Sequence, residues 1–352
     1  MYPNGCDESK PKKERKKETT MSADISVTDD GIVEAMYANQ PAWHNLGKIY
    51  DPNGKQAPDS KTAMEGSNMG WDTLLEPLKL ANDGKEVEGY WATVRSDNRK
   101  TLGVVSSKYK PLNNKDAFSF MDSLCMDNVI RYESAFALKG GQKVALLARM
   151  PQQSDEIAEG DVSLRYILLY NSHDGTSQLT LTPTSVRVVC ANTVRIAIRQ
   201  SKCSVSIRHS AKMEDRLAEA KVYLSQFDEH FTLFRDKARV LATRQMSFAQ
   251  AQDYINTLFP APAIDASNTV KRNHADKLAS LTRIGQEPAN QLRSIQGTWW
   301  AMFNTVTQFV DHNGNYRGNE QAKAERRFLQ VVDGPMADFK NQAFELATQM
   351  AG

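Results

Sequence analysis

Ile130–Met150 reads I-R-Y-E-S-A-F-A-L-K-G-G-Q-K-V-A-L-L-A-R-M, and this stretch decides the fold class. Two strand-like runs, Ile130–Leu138 and Val144–Met150, flank Lys139-Gly140-Gly141-Gln142-Lys143. The adjacent glycines supply the positive φ values that a tight hairpin demands. The same signal recurs on both sides. Upstream, Tyr90–Arg95 and Thr101–Ser106 enclose the polar turn Ser96-Asp97-Asn98-Arg99-Lys100. Downstream, Ser163–Tyr170 and Gln178–Thr184 are joined through Asn171–Thr176, whose Asp174-Gly175 step is a turn signal. Between the first two hairpins, Asn114–Cys125 carries Ala117, Phe118, Phe120, Met121 and Leu124 at helical spacing, with Asn113 or Asn114 as its N-cap. The order hairpin, helix, hairpin, hairpin predicts an α+β fold on an antiparallel sheet.

From about Ser210 the period changes from two to between three and four. Met213–Thr243 spaces Leu217, Ala220, Leu224, Phe227, Phe231 and Phe234 along one helical face. Ser247 is placed to cap a helix over Phe248–Phe259, which Pro260 and Pro262 end. Further helical patterns cover about Asn290–His312 and Gln321–Met350. The chain therefore divides, on its sequence, into a flexible basic leader (1–30), an α+β domain (31–210) and a helical domain (211–352).

Composition excludes several classes. Charged residues at 24% and hydrophobic residues at 40% are ordinary globular values. Cys6, Cys125, Cys190 and Cys203 form no C-x-x-C pair and read as reduced thiols. No apolar run approaches the roughly 20 residues that span a bilayer, and the start of the chain lacks the apolar core of a signal peptide, so a cytoplasmic location is expected. Removing the six bases and four acids of residues 1–20 from the totals of 44 and 42 leaves 38 of each. Attraction to a polyanion must then come from the distribution of charge rather than its sum.

That distribution is uneven. Gly175–Met213 holds 39 residues without an Asp or Glu, and with Arg187, Arg195, Arg199, Lys202, Arg208 and Lys212. A groove lined this way neutralises phosphates and releases counterions. If Arg195–Val205 is helical, Arg195, Arg199 and Lys202 share a face. The competing reading pairs these cations with acids elsewhere in the fold. A second basic group, Lys108-Tyr109-Lys110, has Arg95, Arg99 and Lys100 nearby in sequence and Tyr90, Trp91 and Tyr109 as rings on which bases would stack. The loop with Lys139 and Lys143 is a third, weaker group.

Catalytic signatures are sparse. His44, His173, His209, His230, His274 and His312 lack metal-ligand spacing, and no phosphate-binding glycine loop or nucleophile elbow occurs, so neither a metal nor a cofactor is expected. His173-Asp174 is an adjacent acid–base pair that the turn reading already explains. Trp43-His44-Asn45-Leu46-Gly47 reads as an apolar segment docked on the domain. In the late helix, Trp299, Trp300 and Phe303 read as core or, alternatively, as anchors of a subunit or partner interface.

Five segments carry a resemblance: W-H-N-L-G at 43–47, Y-K-P-L-N-N-K-D-A-F at 109–118, N-S-H-D-G at 171–175, V-R-V-V-C-A-N-T at 186–193 and W-W-A-M-F-N-T-V-T-Q-F-V-D-H at 299–312. Together they resemble the "phage/plasmid-like protein" family, over about residues 35–315. One departure is Thr305, where that family often has Ala. The resemblance implies a domain of unknown function in a mobile-element setting, the cytosol of a bacterial host, and brings no catalytic residues with it. The hairpin–helix order and the basic stretch are compatible with annealing proteins of the RecT and Red-beta types, an analogy of fold and context. The expected function is thus a non-enzymatic, homo-oligomeric protein that binds single-stranded DNA, or RNA, alongside phage or host replication and recombination proteins. The alternatives are a host-takeover factor acting through Trp299, Trp300 and Phe303, and a hydrolase using His173 and Asp174.

Overall fold

A computed structural model describes residues 28, 30, 32–37, 48–49, 59–125, 131–187, 192–194, 205–209, 213–312 and 335–352. Within them the amino-terminal half is built of two antiparallel sheets and the carboxy-terminal half of helices, the α+β arrangement that the hairpin spacing predicts.

The larger sheet is centred on β6 (Arg131–Leu138), β7 (Lys143–Ala158), β8 (Asp161–Ser172) and β9 (Leu179–Arg187). At one end it continues into β1 (Ala35–Tyr37) and β2 (Lys48–Ile49), the latter pair parallel. At the other end β9 is paired by β11 (Val205–Ile207) through Leu179–Leu181 and by β10 (Asn192–Val194) through Ser185–Arg187. Pro183, which has no N–H to give, lies in the gap between those two registers. The smaller sheet has the order β3 (Thr73–Lys79), β4 (Glu86–Arg95), β5 (Thr101–Ser106). Its last two strands are the predicted hairpin. The first escapes the sequence pattern because Pro77 interrupts it and all but Thr73 of its residues are exposed or half-exposed.

The central turn behaves as its glycines require: Lys139, Gly140 and Gly141 have φ of 52°, 69° and 95°. A Cβ on Gly141 would sit 2.8 Å from the Trp71 ring and 3.0 Å from Arg95, so this turn is also where the small sheet closes on the large one. The second close approach is Gly103, where a Cβ would fall 2.7 Å from the Asp174 backbone.

Helices α1 (Ser60–Gly66) and α2 (Asn114–Cys125) pack on each other beside β6. The α2 bounds are those that the apolar stripe predicts, but the cap differs. The side-chain oxygen of Asn113 accepts from the N–H of Thr73 (2.9 Å) instead of serving its own helix, while the Asn113 carbonyl accepts from Ala117. Helix α3 (Met213–Thr243) belongs to two cores. Phe227 and Phe231 join Ile167, Leu169, Leu181 and Ile207 of the sheet, whereas Phe234, Ala238 and Leu241 join the helical cluster. That cluster is completed by α4 (Phe248–Leu258), α5 (Asn268–Gly285), α6 (Trp299–His312) and α7 (Pro335–Ala351). Ser247 and Gln250 form the capping box at α4.

Two differences from the sequence reading concern helices. The region after Asn290 does not become helical until Trp299, because consecutive turns over 293–297, ending on Gly297 at φ 74°, and the bridge between Gln245 and Thr298 precede it. Helix α5 escapes notice because only Leu281 and Ile284 of its 18 residues are fully buried, with Leu278 partly buried beside them.

The tip of the β7–β8 hairpin enters the helical half. Asp161 accepts from the indole N–H of Trp300 (2.7 Å), the Glu156 carbonyl from the Arg239 guanidinium (2.8 and 3.0 Å) and the Glu159 carbonyl from the Ser294 hydroxyl (2.7 Å). Trp300→Phe keeps an aromatic ring and takes one donor away from the buried Asp161 carboxylate. It is expected to cost about 1–3 kcal/mol in urea unfolding, with the slope unchanged.

Candidate nucleic-acid interface

The small sheet meets the large one across a buried polar layer. Arg95, at the end of β4, is 1% exposed. Its guanidinium grips Glu34 (2.5 and 2.9 Å) and Asp97 (2.7 and 3.0 Å), and lies 4.2 Å from the centre of the Trp71 ring. The Trp71 indole N–H donates to the same Glu34 carboxylate (3.1 Å). Two carboxylates and an aromatic face thus satisfy one buried cation, which is the condition for keeping it there. The sequence reading places Arg95 in a surface basic group; the structure corrects this. Arg99 is also engaged, bonded to Glu76 across the sheet. In the third basic group Lys143 bonds Ser177 (3.4 Å) and covers the Tyr170 ring.

His173 is the centre of this layer. It is fully buried, edge-on to Trp71 at 5.1 Å, with Thr73 Oγ1 2.9 Å from Nδ1 and Asn114 Oδ1 2.9 Å from Nε2. The Asn114 amide is oriented by its own N–H bond to the Met69 carbonyl (3.0 Å), so its oxygen faces the ring. That assigns a neutral imidazole protonated on Nε2, with the Thr73 hydroxyl donating to Nδ1. Burial, reinforced by His209 and Arg95 and opposed by Asp174, pushes the His173 pKa down to about 3. Asp174 turns away into its own loop. Burial opposes its charge, but bonds from Ser172 and Thr176 and the nearby Lys143 hold its carboxyl below the usual range. The pair is a structural turn, with each member committed to other partners.

The loop after β5 connects this layer to the surface. Tyr109 is 9% exposed, its hydroxyl donates to the Ser172 carbonyl (3.0 Å), and its ring stacks on His209 at 4.9 Å and 26°. Tyr109 is therefore a buried strut rather than the stacking surface for a base that its basic neighbours suggest. The Lys110 N–H donates to the His209 carbonyl (3.1 Å). These contacts bring together basic residues a hundred positions apart: Lys108, Lys110 and Arg208 are all exposed, and none forms an ion pair among the described residues. His209, the residue that joins the two segments, carries no motif; only its place in the acid-free stretch could have drawn attention to it.

The remaining predicted positions fall as follows. Arg187 ends β9, paired in register with Ser163 and Asn192. Val205 begins a strand and does not extend a helix. Arg195, Arg199, Lys202, Lys212, Trp43 and residues 1–27 of the leader, including its basic cluster, lie outside the described residues. Trp299, Trp300 and Phe303 are at most 1% exposed, packed against Tyr254, Phe234 and Phe344. They are core, because the period that looked aromatic all round has neighbours on every side. No group of three or more His, Cys, Asp or Glu among the described residues is placed to hold a metal ion, and no described helix is long and apolar enough to cross a membrane.

The site thus belongs to an α+β protein in which a buried polar layer supports a basic corner. The chain is a member of the family described as Domain of unknown function (DUF932), whose model matches residues 101–330. That span includes His173, Tyr109 and His209 and leaves out Trp71, Thr73 and Arg95. Comparison with curated proteins and with solved structures returns no match.

The neutral state of His173 has a consequence for stability. Its unfolded pKa of about 6.5 lies above the folded one, so unfolding takes up a proton below that pH, and stability is full above it and falls as pH drops toward the folded value. Between pH 7 and 5 this residue alone is expected to remove about 2 kcal/mol. His209 and His230, both pushed down to about 4 by burial, act in the same direction. Urea unfolding at the two pH values measures it, and equal stability at both would mean that the His173 ring is not enclosed as described.

Proposed function

We propose that the protein binds nucleic acid through the corner formed by Lys108, Lys110 and Arg208, with single-stranded DNA as the preferred form. The observation that carries this reading is the Lys110–His209 backbone bond, which joins two basic segments remote in sequence into one exposed positive surface whose cations have no ion pair among the described residues. The cations stand on loop ends and not on a helix or ribbon shaped for a duplex groove, which favours a flexible strand that can conform to them. With Tyr109 buried, the contact is to phosphates and is indifferent to sequence. Arg195, Arg199 and Lys202 of the acid-free stretch enter the proposal by their charge in the sequence alone. The motifs shared with phage/plasmid-like proteins support a mobile-element setting in a bacterial cytosol, and an oligomeric recombination or replication accessory is the role that joins these features. The reading assigns no chemical step to any residue. The host-protein reading loses its anchors, since Trp299, Trp300 and Phe303 are interior.

Titration of a labelled oligonucleotide against salt tests the proposal. Three phosphate contacts on a single strand correspond to a slope of about −2 in log affinity against log salt. Replacing Lys108, Lys110 and Arg208 together by Ala is expected to reduce the slope by that amount and affinity at low salt by about tenfold or more. An unchanged slope would remove the corner from the binding surface, and equal affinity for duplex would remove the single-strand preference.

A further inference from the structure

The outer face of the small sheet carries an aromatic ring that the fold leaves in water. In β4 the register sets Tyr90 opposite Ser106 and Ala92 opposite Val104 of β5, with Glu76 of β3 on the other side of Ala92. Trp91, Thr93 and Arg95 alternate to the inner face, where Thr93 and Arg95 are closed to solvent. On the outer face Tyr90 is 54% exposed and Val104, its diagonal neighbour, 55%. Among the described residues the Tyr90 hydroxyl has no hydrogen-bond partner and its ring no aromatic or cationic one. Glu76, the charged residue that these registers place on this face, is already bonded to Arg99. Beyond Tyr90 the chain after β5 turns against β4, and the Ser107 N–H donates to the Gly89 carbonyl (2.9 Å). The exposed Lys108 therefore follows directly beside the ring, and Lys110 and Arg208 continue the basic corner from there.

We infer that Tyr90 is a stacking platform for an unpaired base of the strand whose phosphates lie on the basic corner. The inference rests on the nucleic-acid reading of that corner and adds a base contact beside its phosphate contacts. One ring and one valine fall far short of the roughly 800 Å² per partner that a stable protein interface covers. They match the flat apolar surface of a single base, and cations beside an exposed ring are the two parts that a single-strand site combines. Glu86 and Glu88, exposed earlier on β4, weaken the positive field here, so this position contributes through stacking and not through charge. Stacking tolerates any base, because every base has a π-face, but it requires that the face be free. A duplex hides those faces inside its own stack. The ring therefore gives the single-strand preference a physical cause that the three cations alone do not supply.

A tyrosine on an open strand face is also what strand propensity alone favours, and the test separates the two roles. It uses the full chain with Tyr90→Thr, which keeps a good strand former and removes the ring, and Tyr90→Phe, which keeps the ring. Two probes are compared: a single strand of about 20 nucleotides, and an abasic strand of the same length and charge. Tyr90→Thr is expected to lower affinity for the first about tenfold with the salt slope unchanged, and to leave affinity for the abasic strand as it is. Tyr90→Phe should bind both as the wild type does. In the wild type, a 2-aminopurine placed in the strand should lose fluorescence on binding, and this loss should vanish in Tyr90→Thr. Unchanged affinity in Tyr90→Thr overturns the inference, and so does an equal loss on both probes, since the ring then meets no base. Unquenched 2-aminopurine on the wild type overturns it without any variant, whatever the substitution does to folding. If the wild type binds neither strand, the proposed function itself fails. If it binds both equally and only the Lys108, Lys110 and Arg208 substitutions matter, the proposed function stands and Tyr90 drops out.

Discussion

A neutral histidine enclosed between a threonine and an asparagine is the constraint on which the amino-terminal half depends. His173 lies in the turn leaving β8, Thr73 opens β3 and Asn114 opens α2, so three elements from different parts of the chain converge on one ring. Each partner is held in turn: Asn114 by the Met69 carbonyl, and the backbone N–H of Thr73 by the side chain of Asn113. Beside it the Arg95 cation is matched by Glu34 and Asp97 and covered by Trp71. A polar layer of this kind is favourable only when every member is satisfied, which makes the relative placement of the two sheets a single, well-defined solution. The close approaches at Gly103 and Gly141 are its steric counterpart.

The helical half is attached by a different principle. Helix α3 gives its middle to the sheet core and its end to the helical core, and the extended β7–β8 hairpin returns the exchange by passing its tip between α3 and α6. On the way Arg165 pairs both oxygens of Asp155 and packs 5.0 Å from the Phe231 ring, another buried cation satisfied by a carboxylate and an aromatic face. Lys340 and Asp311 form a further buried ion pair between α7 and α6, at 2.8 Å. Buried charge in this protein is a device for fixing where elements meet, since apolar packing alone tolerates alternative registers far better than a charge does.

The basic corner is a by-product of the same layer. Tyr109 reaches inward to Ser172 and sideways to His209, and the cations before and after it are left outside because its own ring is the part that fits the interior. Its two lysines flank it on either side in the turn that follows β5, and both are exposed. Structural anchoring of one residue and exposure of its neighbours are one event. His209 shows the reverse case, a ring drawn inside against Tyr109 while its neighbour Arg208 stays exposed.

Local signals determined much of this by themselves. Three hairpins, the bounds of α2 and α3 and the capped start of α4 follow from turn glycines, apolar period and a serine at the right place, all of which act over a few residues. The basic character of 175–213 is equally a property of the sequence. What tertiary structure decided is which of those charges and rings face water. Arg95 and Tyr109 read as surface groups because charge beside an aromatic is the pattern of a binding site, yet the same pattern is what a buried cation over a tryptophan requires. Trp299 and Trp300 read as core, with an interface as the alternative, until α3 and α7 are placed around them. Lys110 and Arg208 stand 98 positions apart, and no local rule could join them. Burial and long-range pairing depend on what else occupies the neighbouring volume, and that is fixed only when the whole chain packs.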